Sequence, residues 1–379
     1  MEENDHLPPS LHIDPPLFNS ANPWATTLEQ LRDLYRCAAT GAVTTRTALL
    51  EGFPHDEEVH RFAIFEAGTH RVSGGGDDEN KDRGRGDASL NTLGYSPIPL
   101  DGYLGFIRRV DEEVNAEKGE GGNGKRKPFI VSVTGTPDEV AECYRRVSRC
   151  AREISIPLAL EINLSCPNIP GKPPPAYEGE ALRGYVRRVA EVVGEESRGD
   201  GETGGGGEKK KKKGEGFAIP WGVKTPPYTH AGQFDMFVSA LRDCAVVLPG
   251  YGAVPICPLT FVTATNTLGS CLLLGGTDEG VSKAPTSPVL PGPGIGGLAG
   301  APLHPLALGN VATLRRLLDA DSATRHVVLL GIGGVADADG FRRMRAVGAA
   351  AVGVGTALGS RGVRVFGEIA EGLGGGGID

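Results

Sequence analysis

The stretch VVLLGIGGVADADGFRRMRAVGAAAVGVGTAL, Val327–Leu358, decides the fold. A short apolar run, Val327–Leu330, leads into the glycine turn Gly331–Val335 (GIGGV), and a 3.6-period segment, Asp337–Ala346, follows it. A second run, Ala350–Val354, then opens onto another glycine turn in Gly353–Leu358 (GVGTAL). Strand, turn, helix and strand in that order is the βαβ unit of a parallel sheet. Upstream the pattern repeats, with strand candidates at Leu17–Ser20, Ala42–Thr45, Phe129–Thr134, Leu158–Asn163, Pro220–Lys224 and Leu259–Ala264. Helical patterns fall at Thr27–Ala39, Pro137–Glu153, Glu178–Val193, His230–Ala245, Pro305–Leu318 and Val363–Gly372. Thr26 or Thr27 is placed to cap the first, and Pro137 and Pro305 stand where a first-turn proline is tolerated. Eight such repeats predict an α/β fold of the (β/α)8 barrel type, not an open doubly wound sheet.

The 379 residues include 57 Gly and 28 Pro, and glycine at that level excludes a coiled coil or a helical bundle. A net charge of -8 disfavours nucleic acid and acidic membrane surfaces as partners. The one basic block, Lys209–Lys213, sits in a Gly/Glu-rich stretch and reads as a solvated linker. Seven cysteines (37, 143, 150, 166, 244, 257, 271) form no CxxC pair, which suits a reducing compartment and implies no metal site. MEENDHLPPS at the N-terminus has neither a signal-peptide nor a transit-peptide pattern, so the cytoplasm is expected. Cys244–Thr277 carries no charge, but its prolines and glycines interrupt any membrane-spanning run, and it is expected to hold a buried barrel strand with its loops. One barrel domain is expected over 11–373. Low-complexity stretches at about 73–87, 119–124, 194–216 and 275–293 are expected to be disordered surface insertions, with 374–379 a flexible tail. SLNTLGYSPIPLDGYLGFI, Ser89–Ile107, is expected to be a substrate-covering loop after the second strand.

Barrels of this kind carry their chemistry at the C-terminal ends of the strands. There the sequence places Asn19, Ser20, Ala21, Asn22, Arg46, Ser132, Asn163, Cys166, Asn168, Lys224, Thr265, Asn266 and Thr267: mainly amides and hydroxyls, with a thiol and two cations. The glycines after strands seven and eight predict a phosphate cradle built from Gly333, Gly334, Gly355 and Thr356, with GIGGLAG (Gly294–Gly300) closing it. Cys166, three residues past a strand end in INLSCPNIPGKP, faces the cleft, whereas Cys37, Cys143, Cys150, Cys244 and Cys257 read as inert packing. None of the eight histidines follows a strand as its partner, and His230 and His304, near helix starts, read as surface residues. Cys166 is therefore a general base in preference to a nucleophile, its thiolate favoured by Lys224 or Arg46. Asn91, Asn163, Asn168 and Asn266 each present a donor and an acceptor on one plane, the complement of a pyrimidine or similar imide. Lys224 places a fixed positive charge near an electron-rich centre.

From Pro16 to about Leu373 the chain resembles the soluble, fumarate-linked class 1A of the dihydroorotate dehydrogenases. The likeness rests on SLNTLGYSPIPLDGYL (Ser89–Leu104), INLSCPNIPGKP (Ile162–Pro173), its most specific piece, WGVKTPP (Trp221–Pro227), TATNTLG (Thr263–Gly269), GIGGLAG, GIGGV and GVGTAL, in that order. It implies an FMN enzyme oxidising (S)-dihydroorotate to orotate in pyrimidine synthesis, with fumarate as acceptor and a homodimeric state. Cys166 would remove the C5 proton while hydride leaves C6 for flavin N5, and Lys224 would stabilise negative charge on the reduced flavin. Arg46, Asn91, Leu93, Gly94, Tyr95, Asn163, Asn168, Asn266 and Thr267 would hold the substrate. Ala21, Arg46, Ser132, Asn163, Lys224, Thr265, Gly296, Gly297, Gly333, Gly334, Gly355 and Thr356 would hold FMN, the last six at its phosphate. Against the family pattern, Arg46 in TTRT replaces a lysine, NSAN replaces NASG, and Thr263 stands near where an asparagine is frequent. Two alternatives stand beside this reading: a flavin oxidoreductase of the same fold acting on another dihydropyrimidine or cyclic amide, and a non-catalytic binding relic.

Overall fold

The computed structural model describes residues 8–75, 86–118, 126–166, 173–199, 218–247, 254–275 and 286–374. Eight parallel strands alternate with helices: β1 Leu17–Asn19, β2 Val43–Thr44, β3 Phe129–Val133, β4 Leu158–Asn163, β5 Trp221–Lys224, β6 Phe261–Ala264, β7 Val328–Ile332 and β8 Ala351–Val354. Their neighbour order is β1–β8–β7–β6–β5–β4–β3–β2, and a parallel bridge between Phe18 and Ala42 joins the ends, so the sheet closes into the expected (β/α)8 barrel. Closure leaves the parallel strands buried on both faces. Phe18, Ile130, Ala159, Phe261, Leu330 and Ala351 pack inside, with Leu11 and Ile13 of the N-terminal segment against them. The Thr260 hydroxyl donates to the Pro9 carbonyl at 2.9 Å, holding that segment at the N-terminal end of the barrel. The alternate residues, such as Leu158, Leu160 and Ile162, join the larger core under the helices.

The helices are α1 Leu28–Arg36, α2 Leu100–Lys118, α3 Pro137–Glu153, α4 Gly179–Gly199, α5 Ala231–Asp243, α6 His304–Asp319, α7 Ala338–Ala346, α8 Thr356–Arg361 and α9 Arg364–Gly372. Thr27 with Gln30 and Thr136 with Glu139 form reciprocal capping boxes that start α1 and α3. Two expectations need correction here. The covering loop ends earlier than Ile107, because Leu100, Tyr103, Leu104, Ile107 and Val110 recur at helical spacing and are buried as the inner face of α2. The stretch 194–199 continues α4.

A second, antiparallel sheet stands beside the C-terminal mouth of the barrel. Its order is Leu268–Leu272, Ile295–Gly300, Ala88–Asn91, Phe62–Phe65, Val72–Gly75, assembled from the long connections after β2 and β6. Parts of two expected disordered insertions are therefore ordered: residues 73–75 pair with Phe62–Phe65, and Ser287–Pro288 pairs with Leu274–Gly275. Residues 76–85, 119–125, 200–217, 276–285 and 375–379 lie outside the described residues. Cys244–Thr277 holds buried β6, as expected, and also an edge strand of the second sheet. Among the described residues no helix is long and apolar enough to cross a membrane, and no cluster could hold a metal.

Burial has a consequence for alkaline stability. It pushes the thiols of Cys143 and Cys257 up to about 12 and that of Cys150 to about 11, against an ordinary 9.0. Above pH 9 the unfolded thiols ionise while the folded ones keep their protons, so the native state binds more protons and loses stability as pH rises. Lys127, pushed down to about 8 by burial, and Lys224, also lowered by burial, work in the opposite sense, but against the three thiols and the buried tyrosines Tyr35, Tyr95, Tyr144 and Tyr228, whose pKa values burial raises. The urea midpoint is expected to fall from about pH 9.5 upward, less steeply in Cys257→Ala; equal midpoints at pH 8 and 10.5 would contradict this.

Candidate active site

The strands deliver their C-terminal residues to one open cleft. Ala21 follows β1, Arg46 and Thr47 follow β2, and Asn163 and Cys166 come from β4 and its loop. Lys224 ends β5, Thr265, Asn266 and Thr267 follow β6, Gly333 and Gly334 follow β7, and Gly355 and Thr356 follow β8. Asn91, Leu93, Gly94 and Tyr95 enter from the connection after β2, and Phe62, Ser89, Ala299 and Gly300 from the second sheet.

The polar floor of the cleft follows from strand alternation. Lys224 and Asn163 are neighbours in register on β5 and β4, both facing inward and both buried. Burial lowers the Lys224 pKa, while Glu161 and Cys166 act to raise it. No described residue makes a hydrogen bond to its ammonium. Asn163 donates to Thr47 Oγ1 at 3.0 Å, and its Oδ1 accepts from the N–H and hydroxyl of Ser165 at 3.2 and 2.7 Å. These bonds hold the start of the Cys166 loop. Cys166 is a half-buried thiol, and both Lys224 and Arg46 lie close enough to interact electrostatically with it.

Arg46 also ties the covering segment to the barrel. Its Nη2 donates to the carbonyls of Gly94 and Tyr95 at 3.3 and 3.2 Å, and no described carboxylate pairs with it. Phe53 packs edge-on against Tyr95, and a Cβ at Gly94 would lie 2.1 Å from the Phe53 ring, so only glycine admits this packing. The Tyr95 hydroxyl points into the neighbourhood of Cys166 and Thr134, and burial raises its pKa.

At the other end of the cleft the glycine turns form a backbone concavity. Gly334 has φ +69°, and a Cβ there would lie 2.6 Å from the Gly300 carbonyl oxygen. His304, expected at the surface, is instead buried under this turn: Nδ1 bonds the Gly333 carbonyl at 2.7 Å, and Arg343 Nε–H donates to Nε2 at 3.1 Å. Because Nε2 accepts, Nδ1 carries the proton and is the donor to Gly333. Ser89 and Thr356 hydroxyls bond at 2.9 Å, linking the second sheet to α8.

Some expected site residues lie elsewhere. Ser132 does not line the cleft; its hydroxyl bonds Glu161 at 2.9 Å beneath the floor. Gly296 and Gly297 belong to the strand Ile295–Gly300 and are needed for close strand approach, since their Cβ atoms would meet the Asn91 carbonyl oxygen at 2.4 Å and Thr267 Oγ1 at 2.3 Å. Of GIGGLAG, Ala299 and Gly300 reach the cleft. Asn168 lies outside the described residues. Asn91 is partly committed within the protein, donating to Gly297 O at 3.1 Å and accepting from Leu93 N–H at 3.2 Å. Thr47 and Glu161 carry no reading from the sequence; of these, Glu161 shares the inward face of β4 with Asn163, two residues on, and the period of two carries that signal.

Comparison with known proteins places this geometry. The dihydroorotate dehydrogenase family model matches residues 80–375. Dihydroorotate dehydrogenase (fumarate) of Trypanosoma cruzi is 30% identical over 288 residues, covering 75% of this chain and 72% of that protein. Dihydroorotate dehydrogenase A (fumarate) of Lactococcus lactis subsp. cremoris is 26% identical over 359 residues, covering 94% and 89%. A crystal structure of DHODH from Eimeria tenella in complex with ferulenol shares the fold, with a TM-score of 0.61 at 17% identity over 97% of this chain and 86% of that one. The closed barrel, its residue-by-residue cleft and the family match over most of its length agree: this chain belongs to the dihydroorotate dehydrogenase family of oxidoreductases.

Proposed function

We propose that the chain oxidises (S)-dihydroorotate to orotate, with FMN as resident cofactor, fumarate as final acceptor and Cys166 as general base. The observation that carries this reading is the placing of the Cys166 thiol in one cleft with Lys224 and Arg46, which both act on it, and with the Gly333–Gly334 concavity at the far end. The residues present fit FMN. Gly334 offers backbone alone where a side chain would collide, Thr265 Oγ1 is buried without a partner among the described residues, and no described residue bonds the Lys224 ammonium, which leaves it for a ligand. Gly333, Gly334, Gly355 and Thr356 would take the phosphate, and Ala21, Thr265 and Lys224 the ring system. Bound there, FMN supplies the hydride acceptor. A homodimer in the cytoplasm is part of the same proposal and rests on the family resemblance.

The chain's own part is proton handling and positioning. The Cys166 thiolate takes the C5 proton as hydride leaves C6, and the two electrons and two hydrogens removed create the C5=C6 double bond. Two neighbouring cations favour the thiolate that this step needs. Lys224 holds a positive charge where negative charge grows during transfer, fixed in place before the reaction begins. Arg46 keeps Gly94 and Tyr95 over the cleft and gives its remaining charge to the substrate carboxylate. Asn266, whose backbone N–H is held by the Thr225 carbonyl at 2.8 Å, presents its amide to the imide edge of the ring.

In Cys166→Ser, turnover with dihydroorotate is expected to fall at least 100-fold at pH 7 while flavin stays bound, and to recover in part at alkaline pH, because a hydroxyl is the weaker base. Rates like those of the unaltered chain at pH 7 would remove Cys166 from this role. Lys224→Ala is expected to weaken FMN binding about tenfold or more, which is about 1.4 kcal/mol. Flavin content that survives dialysis unchanged would contradict the assignment.

A further inference from the structure

The proposed mechanism leaves one buried acid unused. Glu161 is 1% exposed, in the middle of an inward-facing barrel layer. It stands opposite Gly222 in the register of β4 and β5, so no side chain of β5 faces it directly, and the next inward residue of β5 is Lys224. On its other side it stands opposite Ser132 of β3. Ser132 Oγ–H donates to Glu161 Oε1 at 2.9 Å, the Ser132 and Thr47 hydroxyls bond at 2.9 Å, and Asn163 donates to Thr47 at 3.0 Å. A buried carboxylate is costly unless paired and hydrogen-bonded. Here its anchor is the Ser132 hydroxyl, itself held by Thr47, and the cation acting on it from the next layer is Lys224.

We propose that Glu161 is a positioning residue for Lys224: its carboxylate, anchored by Ser132, which Thr47 holds in turn, lies in the layer beneath the cleft and keeps the ammonium charged at the floor. The role rests on reading Lys224 as the cation that serves the cofactor. The groups acting on Lys224 are burial, which favours the neutral amine, and the acidic Glu161 and Cys166, which favour the ammonium; Glu161 is the larger of these two. Arg46 is the other cation of the cleft, and it is tied to the covering segment by the carbonyls of Gly94 and Tyr95. Glu161 touches no reacting atom in this arrangement. It acts through Lys224 on one side and, through Ser132, Thr47 and Asn163, on the segment that carries Cys166.

The test is trace labelling of the full-length chain with acetic anhydride from pH 6 to 11, with the modification at Lys224 followed by peptide mass spectrometry, with and without added FMN. Glu161→Gln keeps the side-chain size and the Ser132 bond and removes the charge. It is expected to lower the pH midpoint for Lys224 reaction by about one unit, a tenfold loss of proton affinity. Glu161→Asp is expected to restore part of that shift. Ser132→Ala leaves the charge and removes its anchor, and is expected to lower the midpoint by a smaller amount, which keeps the proposal testable if the glutamine variant does not fold. Midpoints in the Gln and Ala variants equal to that of the unaltered chain would overturn the proposal, since a merely structural role leaves the Lys224 titration in place. FMN is expected to protect Lys224 from the reagent. Failure to protect would count against the flavin reading and leave the comparison of midpoints standing.

Discussion

The cleft depends on the register of β4 against β5, in which Asn163 stands opposite Lys224 and Glu161 opposite Gly222. Strand side chains alternate strictly, so a slip of one residue would send Lys224 and Asn163 out under the helices and bring Val223 and Ile162 into the mouth. The apolar layer below, with Phe18, Ile130 and Phe261, holds that register because it too has one face to fill. Packing and chemistry are thus stacked in one barrel: a dry layer, a layer with a single anchored carboxylate, and a polar layer open to ligand.

The second constraint is closeness of backbone. Gly300 approaches Asp87, Gly296 approaches Asn91 and Gly334 approaches Gly300, each at a distance no Cβ allows. The first two zip the connections after β2 and β6 into one sheet, and the third brings that sheet to the Gly333–Gly334 end of the cleft. Arg46 completes the arrangement from the barrel side by gripping the Gly94 and Tyr95 carbonyls. Both bonds come from the one amino nitrogen Nη2, so the rest of the planar guanidinium stays available to the cleft. The arginine that departs from the family's lysine therefore has a structural use in this chain: it fastens the cover.

Much of this was legible in the residues. The eight barrel strands follow from short apolar runs alternating with 3.6-period segments, and β4 and α3 fall at the bounds that the pattern implies. Cys166, Lys224, Arg46 and the Gly333–Gly334 turn followed from one rule, that chemistry gathers where barrel strands end. What escaped was non-local. The second sheet pairs Ala88–Asn91 with Ile295–Gly300 across some two hundred residues, and its glycine-rich strands lack the alternation that marks a half-buried strand. The glycines of GIGGLAG therefore read as phosphate ligands in the sequence, where sheet packing has the stronger claim on Gly296 and Gly297. His304 escaped because a helix start is usually exposed, and only the folded chain shows the Gly333 carbonyl above it.

The account stands or falls on whether this cleft holds a flavin that dihydroorotate can reduce. Anaerobic mixing of the purified chain with dihydroorotate, followed at the yellow flavin absorption band, tests this most directly. The account predicts that the band is present and bleaches on mixing, and that fumarate restores it. A chain without the band, or a band indifferent to dihydroorotate, would contradict it.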